Sequence, residues 1–270
     1  MIALLRASHI QPTLAVTAIT TALALSAGRG PSAGNVALAV FCGQLTVGLN
    51  NDYLDRERDA VAGRLDKPIV AGHVTARLVL ICAWIAAGLC VPLSMLSGWR
   101  AGLVHLAAVA VALIYNVWLK STVASVLAYT VSFGALPIFV ALGLEGHPMA
   151  RWWTIVAAGL LGSGAHFINS LSDVGHDALT NMRGLPQRLG SRASLFVGVA
   201  LMAIAAVIVA VAPEGKPSLL AVLLAISSLV AVVTVVVAAL SGRPKAAWTA
   251  CLCSAGFAVI SFVASGSSLT

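Results

Sequence analysis

Nine apolar stretches carry no Asp, Glu, Lys or Arg at all, and they leave few folds open: residues 10–27, 35–49, 78–96, 101–119, 121–144, 152–171, 193–212, 217–241 and 246–269. A helix needs roughly 20 apolar residues to cross the hydrocarbon core of a bilayer. No water reaches the backbone there, so only helices and closed barrels satisfy its polar groups. None of the stretches alternates apolar with polar at period two, which excludes the barrel. The chain therefore reads as all-α, a polytopic membrane protein with nine transmembrane helices in a bundle. The stretch 35–49 is short for a span, so its helix is expected to run on into the polar segment that follows.

The remaining composition agrees. With 16 basic and 9 acidic residues among 270, the chain cannot clothe a soluble surface, for which roughly 25% charged residues is normal. A net charge of +7 raises nucleic-acid binding, but the bases are spread too thinly along apolar sequence to form a basic face. Five cysteines, all inside apolar stretches, make no disulfide framework. Cys251-x-Cys253 lacks the further ligands of a metal site, so all five are expected to be buried thiols. The apolar run after Arg6 leads to no cleavage site and reads as a first span rather than a signal peptide.

Orientation follows from the bases. With a cytoplasmic N-terminus, Arg6, Arg56, Arg58, Arg64, Lys67, Arg77, Lys120, Arg183, Arg188, Arg192, Arg243 and Lys245 face the cytoplasm, against Arg29, Arg100, Arg151 and Lys216 outside. Positive charge accumulates on the cytoplasmic side, so nine spans put the C-terminus outside. Trp99, Trp118, Trp152, Trp153 and Trp248 lie near span ends, where interfacial tryptophans collect.

Seven of the nine acids fall in two segments on the cytoplasmic side. Shifted by 118 residues the segments superpose: Asn51 on Asn169, Asp55 on Asp173, Asp59 on Asp177, Pro68 on Pro186, Gly72 on Gly190. This predicts a duplicated unit within one domain of residues 1–270, with halves at about 1–120 and 121–270. On a helix, Asp52, Asp55 and Asp59 share one face at i, i+3 and i+7, and Asp173 shares a face with Asp177 at i, i+4. Like charges so placed repel unless a cation sits between them. Hard oxygen donors that leave room for water and phosphate suit Mg²⁺. Bases trail each segment, and carboxylate-held Mg²⁺ with Arg and Lys is a diphosphate site; Arg77, Arg243 and Lys245 read as topology anchors instead.

Asn51-Asp52-x-x-Asp55-x-x-x-Asp59 resembles the NDxxDxxxD signature of the UbiA superfamily of intramembrane prenyltransferases. Asp173-x-x-x-Asp177, with Gly184-Leu185-Pro186-Gln187-Arg188-Leu189-Gly190 beyond it, resembles that family's second motif and its trailing run. Ser170, where many members have Asp, and Gly184-Leu185, where a Thr-Leu pair is common, depart from the pattern and bear on acceptor preference. The resemblance implies a helical bundle around a central cavity open to lipid and capped by cytoplasmic loops. It implies Asp52, Asp55, Asp59, Asp173 and Asp177 as catalytic metal ligands. Asn51, Asn169, Arg64, Lys67, Lys120 and Arg188 would surround the diphosphate.

The chemistry then expected is Mg²⁺-dependent prenyl transfer from a polyprenyl diphosphate to a small-molecule or lipid acceptor, foremost an aromatic one. Tyr115, Phe133, Phe139 and Phe167 are candidate cavity walls, and His105 and His166 candidate acceptor contacts. The same scaffold serves transfer to a glycerol lipid, porphyrin or carotenoid, phosphoribosyl transfer to a lipid phosphate, and terpene cyclisation. A secondary transporter is the alternative of a different class. Its coupling carboxylates belong at the bilayer midplane, whereas here every acid lies at a span end or beyond.

Overall fold

The computed structural model describes residues 2–172 and 183–270. Its helices are α1 (Ile2–Ala7), α2 (Ile10–Ser26), α3 (Ala33–Val61), α4 (Ala76–Met95), α5 (Trp99–Val117), α6 (Ser125–Leu142), α7 (Trp152–Ser170), α8 (Leu185–Val211), α9 (Leu219–Leu240) and α10 (Pro244–Ala264). No strand occurs among the described residues. Seven helices, α3 to α6 and α8 to α10, are long and apolar enough to cross a membrane. α2 is apolar but has 17 residues. α7, with Gly159, Gly162, Ser163, Gly164, His166 and Asn169, is too polar to count among the seven, and much of it is buried.

Residues 35–49 do continue into the polar segment, as one helix of 29 residues ending at Val61. The stretch beginning at 193 starts earlier than expected, at Leu185. Gly190 breaks α8 with φ 79° and ψ 165°, so a short first piece precedes the apolar one. Gly72, its partner at the 118-residue shift, also has a left-handed φ, 72°. Helix starts recur at a similar spacing: Ala33 and Trp152, Trp99 and Leu219, Ser125 and Pro244.

From α2 onward each helix packs on its neighbour in the chain, and α10 packs back on α2 to close a ring. One apolar cluster joins α2, α3, α6, α7 and α10 through Val36, Val40, Phe139, Trp153 and Phe262. Trp153 is only 5% exposed and sits edge-on to Phe262, so it is a core residue and not an interfacial anchor. Trp152 beside it is exposed, and so is Trp84 in mid-α4, at 70%. Of the cysteines, Cys42, Cys90 and Cys251 are buried as expected. Cys82 is half-buried and Cys253 exposed, because residues two apart on a helix point to different sides.

Where α7 crosses α8, a Cβ on Gly164 would lie 2.5 Å from Met202 Cγ and 2.9 Å from the Gly198 carbonyl. The two glycines let the backbones touch, the usual device for packing helices without water to drive them together. The crossing also sets where the C-terminal end of α7 arrives. At the opposite end of the bundle, the buried Arg29 bonds to the Val140 carbonyl, Ser97 and Ser32. There too the Arg151 N–H donates to the Leu269 carbonyl, docking the C-terminus at the start of α7.

Candidate active site

The last three turns of α3 carry Asp52, Asp55 and Asp59 on one face, and all three are buried; Asp52 is 2% exposed. A buried carboxylate is costly unless paired. The chain supplies cations by doubling back after α3. Gly63, at φ 66°, ends the helix, and the Arg64 N–H returns to the Asp59 carbonyl. That turn brings Lys67 Nζ to 2.8 Å from Asp52 Oδ1 and 4.0 Å from Asp59 Oδ2. Arg64 lies 4.0 Å from Asp59 and 3.0 Å from Asp66. Asp55 is held by Arg58 at 2.7 Å and, across the bundle, by Lys120, which sits in a short turn just beyond α5.

Burial pulls the Lys120 ammonium below its ordinary pKa, against the opposing pull of Asp55. Burial works to raise the Asp66 carboxyl, but the Arg64 guanidinium overrides it and holds Asp66 below its ordinary value. The Asp52 Oδ2 atom is buried with no hydrogen-bond partner among the described residues. Arg56 turns away from the group, over the Tyr53 ring and towards Glu57.

Two residues of this end escaped the sequence reading. Asn116 is buried; its Nδ2 donates to the Val47 carbonyl at 2.9 Å and its Oδ1 accepts from Asn51 Nδ2 at 3.2 Å. It therefore fixes Asn51. An Asn one turn inside an apolar span end is itself a signal, since such groups are costly in lipid without a role. His9, at φ 52°, brings its ring to 3.9 Å from Asp52 Oδ1, a contact that no local spacing announces.

Asp173 and Asp177 lie outside the described residues. Asn169 is exposed on the last turn of α7, and Arg188 is exposed with its Nε on the Arg183 carbonyl, so neither enters the described carboxylate group. Gly184 does reach across: a Cβ there would lie 2.5 Å from the Lys120 carbonyl. Absence of a side chain at 184 thus lets the chain entering α8 lie against the turn that holds Lys120.

Deeper in the bundle lies an aromatic layer. Tyr129, not singled out from the sequence, stacks on His166 at 4.5 Å and on Phe133 at 6.1 Å, with Tyr115 edge-on to Tyr129 at 5.1 Å. The Ser125 hydroxyl accepts from the Leu185 N–H at 3.2 Å and shares a hydrogen bond with His166 Nε2 at 3.1 Å. Phe139 and His105 belong elsewhere: they stack on each other at 4.7 Å, and His105 Nδ1 bonds to Ser94. Both are packing groups inside the bundle rather than walls of this layer.

Among the described residues no three Asp, Glu, His or Cys side chains converge to hold a metal. Mg²⁺ asks less than that, since it is usually bound through one or two carboxylates plus water and phosphate oxygens. A row of hard oxygens ending in the orphaned Asp52 Oδ2 fits such an ion, provided the cations now on those oxygens can move away.

A model of the UbiA prenyltransferase family matches residues 14–255. No curated protein matches the sequence. Among solved structures, the fold is similar to the apo form of a UbiA homologue from Aeropyrum pernix K1, with 20% identity, 94% of this chain and 98% of that one covered, and TM-score 0.78. It is also similar to a UbiA homologue from Archaeoglobus fulgidus bound to GPP and Mg²⁺, with 17% identity, 98% of each chain covered, and TM-score 0.69. A digeranylgeranylglyceryl phosphate synthase matches at 13% identity over 98% of this chain and 97% of that one, with TM-score 0.67.

Proposed function

The chain belongs to the UbiA prenyltransferase family, and on that premise we propose that it transfers a prenyl group from a polyprenyl diphosphate to an aromatic acceptor within the membrane, with Mg²⁺. The observation that carries this reading is the buried face of Asp52, Asp55 and Asp59, flanked by Lys67 and Lys120, with one carboxylate oxygen left without a partner among the described residues. The solved homologue that holds GPP and Mg²⁺ on the same fold supports it.

In this reading Asp52, Asp55 and Asp59 hold metal from the first half, and Asp173 and Asp177 from the second. Bound Mg²⁺ supplies positive charge where negative charge grows on the departing diphosphate. Lys67, Lys120 and Arg64 take the remaining phosphate oxygens, with Asn51, Asn169 and Arg188 at the rim. Tyr115, Tyr129, Phe133 and His166 exclude water from the allylic carbon, which an aqueous site would quench. The allylic carbon–oxygen bond breaks, the acceptor's ring carbon bonds to the allylic carbon, and the ring proton passes to the released diphosphate. The matched left-handed Gly72 and Gly190, and the recurring helix starts, support two halves of one domain, about 1–120 and 121–270.

The test is turnover of purified protein with GPP and longer diphosphates against a panel of aromatic acids, naphthoates and glycerol lipids, with products read by mass. Product is expected on an aromatic acceptor with Mg²⁺ and none in EDTA. Full turnover in EDTA overturns the metal, and product on a glycerol lipid alone overturns the aromatic acceptor.

We further propose nine crossings, α2 to α10, with the N-terminus and the aspartate segments cytoplasmic and the C-terminus outside. His9 beside Asp52, and the C-terminus beside Arg151 at the far end of α7, support opposite sides for the two termini. A cysteine placed at position 65 in a chain freed of Cys82 and Cys253 should resist an impermeant thiol reagent added to intact cells. Labelling there without opening the cells inverts the orientation.

A further inference from the structure

We propose that Lys67 is an exchangeable internal counter-cation: it holds Asp52 and Asp59 together until metal and diphosphate arrive, so the two bind cooperatively. The inference rests on the diphosphate and Mg²⁺ reading above and concerns how that site is filled.

Two buried carboxylates nearly two turns apart on α3 converge on one ammonium, 2.8 Å from Asp52 and 4.0 Å from Asp59. Lys67 thus stands where a cation is needed to offset their mutual repulsion. Its backbone is pinned: its N–H donates to the Arg64 carbonyl, its carbonyl accepts from Ala71, and Pro68 follows. The side chain, only 13% exposed, keeps four rotatable bonds, so the ammonium can swing while the turn stays still.

The charge around it is already closed. Asp55 carries Arg58 and Lys120, and Asp59 also has Arg64 nearby. A divalent ion entering alone meets carboxylates neutralised by bases, and repulsion opposes it. A diphosphate changes that, because its oxygens give Lys67 a new partner and leave Asp52 and Asp59 to the ion. The Asp52 Oδ2 atom, buried and unbonded among the described residues, is the acceptor the ammonium leaves unsatisfied. Linkage makes the effect reciprocal: whatever factor diphosphate adds to metal affinity, metal adds to diphosphate affinity.

Equilibrium dialysis of purified protein against Mn²⁺, alone and with GPP, tests this on wild type, Lys67→Met and Lys67→Arg. Wild type should take up Mn²⁺ weakly alone and strongly with GPP. Lys67→Met should bind Mn²⁺ alone about tenfold more tightly than wild type, inside the roughly 5–150-fold range of ordinary site coupling. Lys67→Arg, which keeps the charge, should remain weak. In EDTA the Met variant should melt below wild type, and added Mn²⁺ should remove that deficit, which a lysine of purely structural role would not allow. A folded Lys67→Met that binds Mn²⁺ alone no better than wild type overturns the proposal. So does wild type binding Mn²⁺ equally well without GPP, a measurement that stands even if the Met variant does not fold. Uptake by wild type in neither condition overturns the metal reading itself, whereas strong uptake with GPP and no gain in Lys67→Met strikes Lys67 alone.

Discussion

Asp55→Asn should lower turnover by roughly 10²–10³ at saturating Mg²⁺, the scale on which losing one preorganised electrostatic contact at a reacting centre is felt. Asp55 is buried and is reached from both sides, by Arg58 within α3 and by Lys120 from beyond α5. The Asn side chain keeps the shape and loses the negative charge that, in the proposed mechanism, holds the Mg²⁺ offsetting the charge that grows on the leaving diphosphate. Because that charge grows as the bond breaks, kcat should fall more than diphosphate affinity. Asp173→Asn should behave alike, and the double variant should be scarcely worse than either single one, since groups acting as a unit are not additive. Additive losses, or an Asp173→Asn variant that turns over normally and only melts lower, would exclude one site shared by the two segments.

Lys120→Met should cost about 10² in kcat/KM, close to 2.7 kcal/mol at 1.36 kcal/mol per tenfold. Lys120 contacts Asp55 through its ammonium and lies against Gly184 through its carbonyl, so it stands between α3 and the start of α8. Lys120→Arg should recover little, because a planar fork does not occupy the space of a compact ammonium in a buried site. Burial lowers the Lys120 pKa, and the protonated form is the one needed. The alkaline limb of kcat/KM should therefore begin below the ordinary lysine value of 10.5, with activity lost as pH rises through it. A lysine that merely ties these elements together would instead lower the melting temperature and leave kcat/KM and its pH limb unchanged.

Much of this protein is legible in one dimension. Charge-free stretches long enough to span lipid dictate helices, because a backbone in hydrocarbon must bond to itself. The i, i+3, i+7 spacing by itself puts Asp52, Asp55 and Asp59 on one face, because a helix repeats every 3.6 residues. Gly72 and Gly190, matched by offset alone, both hold the left-handed backbone that glycine permits.

Pairing across the bundle is another matter. Which cation answers which carboxylate was settled by the turn after α3, which folds Lys67 onto Asp52 instead of leaving it in solvent, and by helix packing, which carries Lys120 to a carboxylate 65 residues away in sequence. The same packing buried Trp153 against Phe262, sent Phe139 to His105, and placed Tyr129 against His166. Hydrophobicity determines that a helix is in the membrane, but nearly every side of a lipid-embedded helix is apolar, so it does not say which side meets a neighbour. That choice belongs to shape, to glycines such as Gly164 and Gly198 where backbones touch, and to the few polar groups that must find partners in lipid.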